Sequence, residues 1–122
     1  MVRILKVFFA VVFLSLCGMQ AHAFDSAGGL ATIAVGDLPK EGRDTLALIR
    51  KGGPYPYSRD GVVFSNRERI LPKQARGYYR EYTVKTPGSR DRGARRIICG
   101  GKEQRNCYYT ADHYASFKII KE

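Results

Sequence analysis

Downstream of Gly52-Gly53-Pro54 no stretch of the chain reads convincingly as a helix, and this limits the fold more than any other feature. The remainder is a series of short runs rich in β-branched and aromatic residues: Tyr78–Lys85, Arg95–Cys99, Cys107–Thr110 and Ala115–Ile120. Turn signals separate them, notably Thr86-Pro87-Gly88-Ser89 and Gly100-Gly101. Upstream, Ala31–Val35 reads as a short strand. Asp37-Leu38-Pro39 can then open a helix, because proline is tolerated in the first turn and Asp37 is positioned to help cap it. Leu46, Leu48 and Ile49 give that helix one apolar stripe through about Arg50, where the glycines and proline stop it. One helix followed by a meander of strands is an α+β domain, with the helix packed on one face of an antiparallel sheet.

The N-terminus is an address label rather than fold. Arg3 and Lys6 form a positive n-region, Val7–Leu16 is almost wholly apolar, and Ala21-His22-Ala23 supplies a small-x-small cleavage pattern. The apolar run is too short to span a bilayer, which takes about 20 residues. Residues 1–23 therefore read as a removed signal peptide, and Phe24–Glu122 as one exported domain, periplasmic or extracellular and free of the membrane. With Arg3 and Lys6 taken from the 21 basic residues and all 11 acidic ones retained, the mature chain carries +8. Such an excess suits a polyanion, nucleic acid or a cell surface.

Signal removal also takes Cys17 and His22, leaving Cys99 and Cys107 in an oxidising compartment. They bracket a polar, glycine-bearing turn, so a disulfide clamping that hairpin is expected. Two cysteines and one histidine at these spacings fit no zinc site, and no metal or other cofactor is expected.

Charged residues interrupt the β-like runs in a pattern that chemistry can use. Glu81 falls inside Tyr78–Val84, Arg95 and Arg96 open the next run, and His113 sits in Thr110–Tyr114. A carboxylate, a guanidinium pair and an imidazole are what metal-free phosphodiester cleavage requires. The mature chain has one histidine, which excludes a two-histidine mechanism and leaves the second proton transfer to a carboxylate. Strand alternation places Arg96 and Ile98 opposite Arg95, Ile97 and Cys99, and Glu81 with Tyr79 and Thr83. An unpacked face with Glu81 and one of the two arginines would be an anion-binding floor, although a plain Glu81–arginine salt bridge is the simpler reading. Val62–Glu68 reads as a base-recognition loop in which Phe64 or another ring stacks and the N–H groups of Ser65, Asn66 and Arg67 point inward. Glu68 would accept two hydrogens from one base edge. Guanine offers N1–H and N2–H₂ side by side, so the loop argues for guanine. A non-catalytic cationic protein that binds RNA or a surface is the alternative.

Four blocks in the same order, Asp60–Glu68, Gly77–Val84, Arg92–Ile98 and Asp112–Tyr114, resemble the small secreted guanyl-specific ribonucleases of bacteria, in the superfamily that includes barnase. The resemblance runs from about Leu38 to Ile120. It implies Glu81 as general base on the 2′-hydroxyl and His113 as general acid on the leaving 5′-oxygen. Arg96 and Arg92 would bind the phosphate, with Tyr114 and Arg67 assisting. Glu68, the Ser65–Arg67 backbone and a stacking Phe64 would select guanine. A 2′,3′-cyclic phosphate, later opened to a 3′-phosphate, would be the product of a monomeric endoribonuclease. The usual partner besides RNA is a small acidic inhibitor that plugs the basic cleft. One departure is visible: close relatives join their chain ends by a disulfide, whereas Cys99 and Cys107 would close a much shorter loop.

Overall fold

A computed structural model describes residues 29–122, so the expected signal peptide and the first residues of the mature domain lie outside the described residues. A short first strand, β1 (Ala31–Ala34), leads through a 3-10 turn into helix α1 (Lys40–Lys51), the one α-helix among the described residues. Five strands come after it: β2 (Val62–Val63), β3 (Tyr79–Thr83), β4 (Arg96–Gly100), β5 (Asn106–Thr110) and β6 (Lys118–Lys121). They form one sheet in the order β1-β6-β5-β4-β3-β2. The meander from β2 to β6 is antiparallel throughout, as the turn spacing implies, while β1 adds itself parallel to β6 and makes the sheet mixed. Among the described residues no helix is long and apolar enough to cross a membrane.

Helix α1 buries Leu46 and Ile49 against Tyr82, Ile97, Cys99, Cys107 and Tyr109. Leu48 stays half-buried at the stripe's margin. Gly52 ends the helix at φ 88°, its N–H on the carbonyl of Leu48 at 2.8 Å. Only glycine takes that left-handed cap without strain. The start differs from expectation: Asp37 does not cap. Leu38 precedes a proline and is held extended at ψ 152°, so Asp37 lies back in the 3-10 turn and Pro39 occupies the cap position with no side-chain bond.

Cys99 and Cys107 are register partners on β4 and β5 and form a disulfide that packs beneath the helix. The opposite sheet face is not bare, as alternation alone suggested. Tyr79, Ile98 and Tyr108 are covered by Leu71 and Phe117, which come from the loops after β2 and β5. That second core stops short of Glu81, Thr83 and Arg96. The last run also starts later than expected, at Lys118, because Asp112–Ser116 is folded into a tight turn.

Candidate active site

Glu81 is central in β3, and Val62 of β2 and Ile98 of β4 flank it. Its side chain is only 7% exposed, a position that demands compensation for the charge. Oε1 accepts the Tyr114 hydroxyl and faces Arg92 Nη2 at 3.8 Å and Arg96 Nε at 3.7 Å. Oε2 faces Arg59 Nη2 at 3.9 Å, from a side chain that is 63% exposed. The two oxygens are thus unequal. Oε1 is held within the protein, and Oε2 is the one open to a proton from outside.

Register decides which arginine reaches the site. Thr83 pairs with Arg96, so Arg96 lies on the Glu81 face, and Arg95 turns away to Glu41 of α1 at 3.9 Å. Arg96 is 4% exposed, its Nη1 donating to the carbonyls of Gly93 and Arg95 and its Nε to the Tyr114 hydroxyl. Arg92 donates from Nε to Thr83 Oγ1 at 3.3 Å, but its buried Nη2 has no hydrogen-bond partner among the described residues. A guanidinium edge left without an acceptor in a cleft is built for an anion. Gly93 makes the loop possible: its φ is +72°, and a Cβ there would sit 2.4 Å from Thr86 Oγ1.

His113 lies on the Asp112–Ser116 turn with φ 56°, and Tyr114 follows at φ 72°. Both take left-handed backbone that non-glycine residues rarely adopt. Asp112 secures the turn by accepting Thr110 Oγ1 and the N–H and hydroxyl of Ser116. Those bonds, from the Ser116 hydroxyl first, hold the Asp112 carboxyl below its ordinary range. The His113 N–H reaches the carbonyl of Ala94 at 2.9 Å, which fixes the turn to the loop bearing Arg92. Burial, and then the bond to Glu81, push the Tyr114 phenol up, so it remains a neutral donor.

Glu81, His113, Arg92 and Arg96 line one cleft of about 500 Å³, together with Tyr114, Ser65 and Arg67. A smaller pocket of about 220 Å³ adjoins it, lined by Phe64–Glu68, Ile70, Tyr114 and Phe117. Phe64 stacks on Tyr114 at 5.3 Å and 25°, joining the two spaces through an aromatic wall. The Asn66 side chain closes the loop on Leu71 by a reciprocal pair of bonds, so only its backbone remains for a ligand. Glu68 and Arg67 are exposed. All ten residues expected from the sequence therefore line one of two adjoining spaces. Arg59, Ile70 and Phe117 were missed, and Val63 was read only as part of the recognition segment. Arg59 had no legible signal, since Asp60 places it by accepting the N–H groups of Thr83 and Tyr57, contacts that exist only after folding.

Known proteins are similar to this chain in sequence and in fold. A ribonuclease family model matches residues 20–121. The guanyl-specific ribonuclease Sa of Kitasatospora aureofaciens is 58% identical over 91 residues, covering 75% of this chain and 94% of the relative. The structure of ribonuclease Sa2 in complexes with mononucleotides superposes with a TM-score of 0.73 at 55% identity, over 76% of this chain and 95% of that one. A crystal structure of ribonuclease Sa2 with guanosine-2′-cyclophosphate gives a TM-score of 0.71 at 55% identity, over 75% and 96% of the two chains.

Proposed function

The chain belongs to the ribonuclease family, and from that premise we propose that it cuts single-stranded RNA on the 3′ side of guanosine with Glu81 and His113 as its acid–base pair. The observation that supports this most is the convergence of a carboxylate, an imidazole and two guanidinium groups in one cleft beside a guanine-sized pocket. Glu81 Oε2 takes the proton of the ribose 2′-hydroxyl, and the 2′-oxygen attacks phosphorus. His113 gives its proton to the departing 5′-oxygen, which leaves as an alcohol. The product is a 2′,3′-cyclic phosphate. In the second step water attacks the ring, the histidine now accepting its proton and Glu81 returning one to the 2′-oxygen. The bond to the 2′-oxygen breaks and a 3′-phosphate remains.

Arg96 and the unpartnered Nη2 of Arg92 meet the charge that builds on the non-bridging oxygens, a role that needs no resident metal. Glu68 accepts N1–H and N2–H₂ of guanine, the Ser65–Arg67 backbone meets its other edge, and Phe64 with Tyr114 supplies the stacking wall. A merely cationic module would have no use for two left-handed residues at His113 and Tyr114. We also read residues 1–23 as the export signal and 24–122 as a monomeric secreted domain, which a small acidic protein could inhibit by filling the same cleft. The test is kinetic. Glu81→Gln and His113→Ala each lower kcat on RNA by about 10²–10⁴-fold, the usual worth of one acid–base group. Wild-type rates in either folded variant would remove that residue from the mechanism.

A further inference from the structure

On the far side of the recognition loop lies another cavity, of about 420 Å³, that the chemistry above does not use. One wall is Val63–Arg67, the segment that also borders the cleft; the other is Gln74–Gly77, with Tyr79 of β3. Its chemistry is specific. Two arginines, Arg67 and Arg76, and the carboxamide of Gln74 line it, with no carboxylate. Neither guanidinium makes a hydrogen bond or ion pair among the described residues, and Arg76 is exposed. Val63, at 44% exposure the one exposed large hydrophobic among the described residues, borders both this cavity and the cleft. Unpaired cations beside an apolar edge suit a nucleotide, its phosphate on the first and its base or ribose on the second.

The direction of the RNA is set by β3. Tyr79 lines this cavity, Glu81 the cleft, and Thr83 holds Arg92. The two sites are thus offset along the strand by two residues, roughly 7 Å. His113, which serves the departing nucleoside, and Arg92 and Arg96, which serve the scissile phosphate, line the cleft and not this cavity. The leaving side of the substrate is therefore committed elsewhere. We propose that this cavity is a subsite for the nucleotide joined to the 5′-oxygen of the bound guanosine, with Arg76 and Arg67 on the linking phosphate and Val63 against the base. The proposal rests on the placement of guanosine given under Proposed function. The exposed Gln74 carboxamide is the one free side-chain donor and acceptor pair lining the cavity, and with no hydrogen bond among the described residues to hold it, it fixes no base edge, so the subsite adds affinity with little sequence preference.

The experiment compares GpU with ApGpU and UpGpU as substrates for the purified enzyme. Both trinucleotides are cut after guanosine with kcat/KM about tenfold above that of GpU, the worth of one partly exposed charge-assisted contact. The gain appears in KM and shrinks as salt rises. Arg76→Gln removes most of it, and Gln74→Ala part of it, while both leave GpU cleavage and the melting temperature unchanged. Equal kcat/KM for GpU and ApGpU in the wild type would overturn the subsite, as would a gain that survives Arg76→Gln. Failure of the wild-type enzyme to cut GpU at guanosine would overturn the underlying placement as well, a result distinct from either.

Discussion

Asp112 touches no substrate, yet its removal should disarm His113. The turn it holds contains two non-glycine residues in left-handed backbone, His113 at φ 56° and Tyr114 at φ 72°. Each costs about 1–2 kcal/mol relative to an ordinary conformation. Three hydrogen bonds to the Asp112 carboxylate oppose that strain, from Thr110 Oγ1 at 2.9 Å, Ser116 N at 2.9 Å and Ser116 Oγ at 2.6 Å. The group is exposed, so the low end of the usual range applies, about 0.5 kcal/mol each and about 1.5 kcal/mol together. Asp112→Ala therefore shifts the local equilibrium by about tenfold away from the conformation that presents the imidazole. We expect kcat on GpU to fall by up to about tenfold, with KM nearly unchanged and the melting temperature little altered. Asp112→Asn keeps one acceptor oxygen, the one that takes both Thr110 and the Ser116 N–H, and should recover most of the rate. Steady-state kinetics on the three proteins decide the matter. A full rate in Asp112→Ala, or no recovery in Asp112→Asn, would refute this role for the turn. The pH dependence has a definite sign. The folded carboxyl titrates below its unfolded value, so its contribution is complete above the unfolded pKa of about 3.9. It disappears as pH falls through the lower folded value.

Glu68→Gln should weaken discrimination rather than chemistry, because the carboxylate accepts two guanine hydrogens that a carboxamide cannot both accept. Cleavage mapping on a mixed-sequence RNA should show guanine preference reduced by about 10–100-fold, and an unchanged pattern would exclude Glu68 from recognition. Reduction of Cys99–Cys107, or Cys99→Ser with Cys107→Ser, should cost about 2.5 kcal/mol of stability in urea titrations, since the bridged residues are only 8 positions apart. Activity should persist while the chain stays folded. Arg59→Gln removes the one cation that faces Glu81 Oε2 among the described residues, and from a 63%-exposed position it should raise KM for RNA by several-fold and reduce the salt dependence of binding. Titration of RNA binding against salt checks this; an identical slope would place Arg59 outside the substrate path.

Much of the site was legible because strand geometry is periodic. Alternation alone sets Arg95 and Arg96 on opposite faces and leaves open which of them joins Glu81; the pairing of Thr83 with Arg96 makes that choice and sends Arg95 toward Glu41. The helix and its glycine stop were equally local. What escaped was set by tertiary contact. Val62-Val63 is too short for alternation to mark a strand, and it exists as β2 through pairing with β3. The parallel partnership of β1 with β6 joins distant segments, which no local pattern encodes. The turn before β6 overrides the β propensity of Tyr114 with backbone hydrogen bonds donated to Thr110 Oγ1 and to the Asp112 carboxylate. The cover that Leu71 and Phe117 lay over half of the active face is likewise a product of loop docking.

The most direct test is chemical. A defined oligoribonucleotide with one internal guanosine is digested in excess EDTA, and the fragment ends are weighed by mass spectrometry over time. Attack by the 2′-oxygen predicts a first product ending in guanosine 2′,3′-cyclic phosphate, its partner starting with a 5′-hydroxyl, and a 3′-phosphate appearing later. A fragment bearing a 5′-phosphate, or cleavage that stops in chelator, would contradict Glu81 and His113 as the acid–base pair acting on the 2′-hydroxyl.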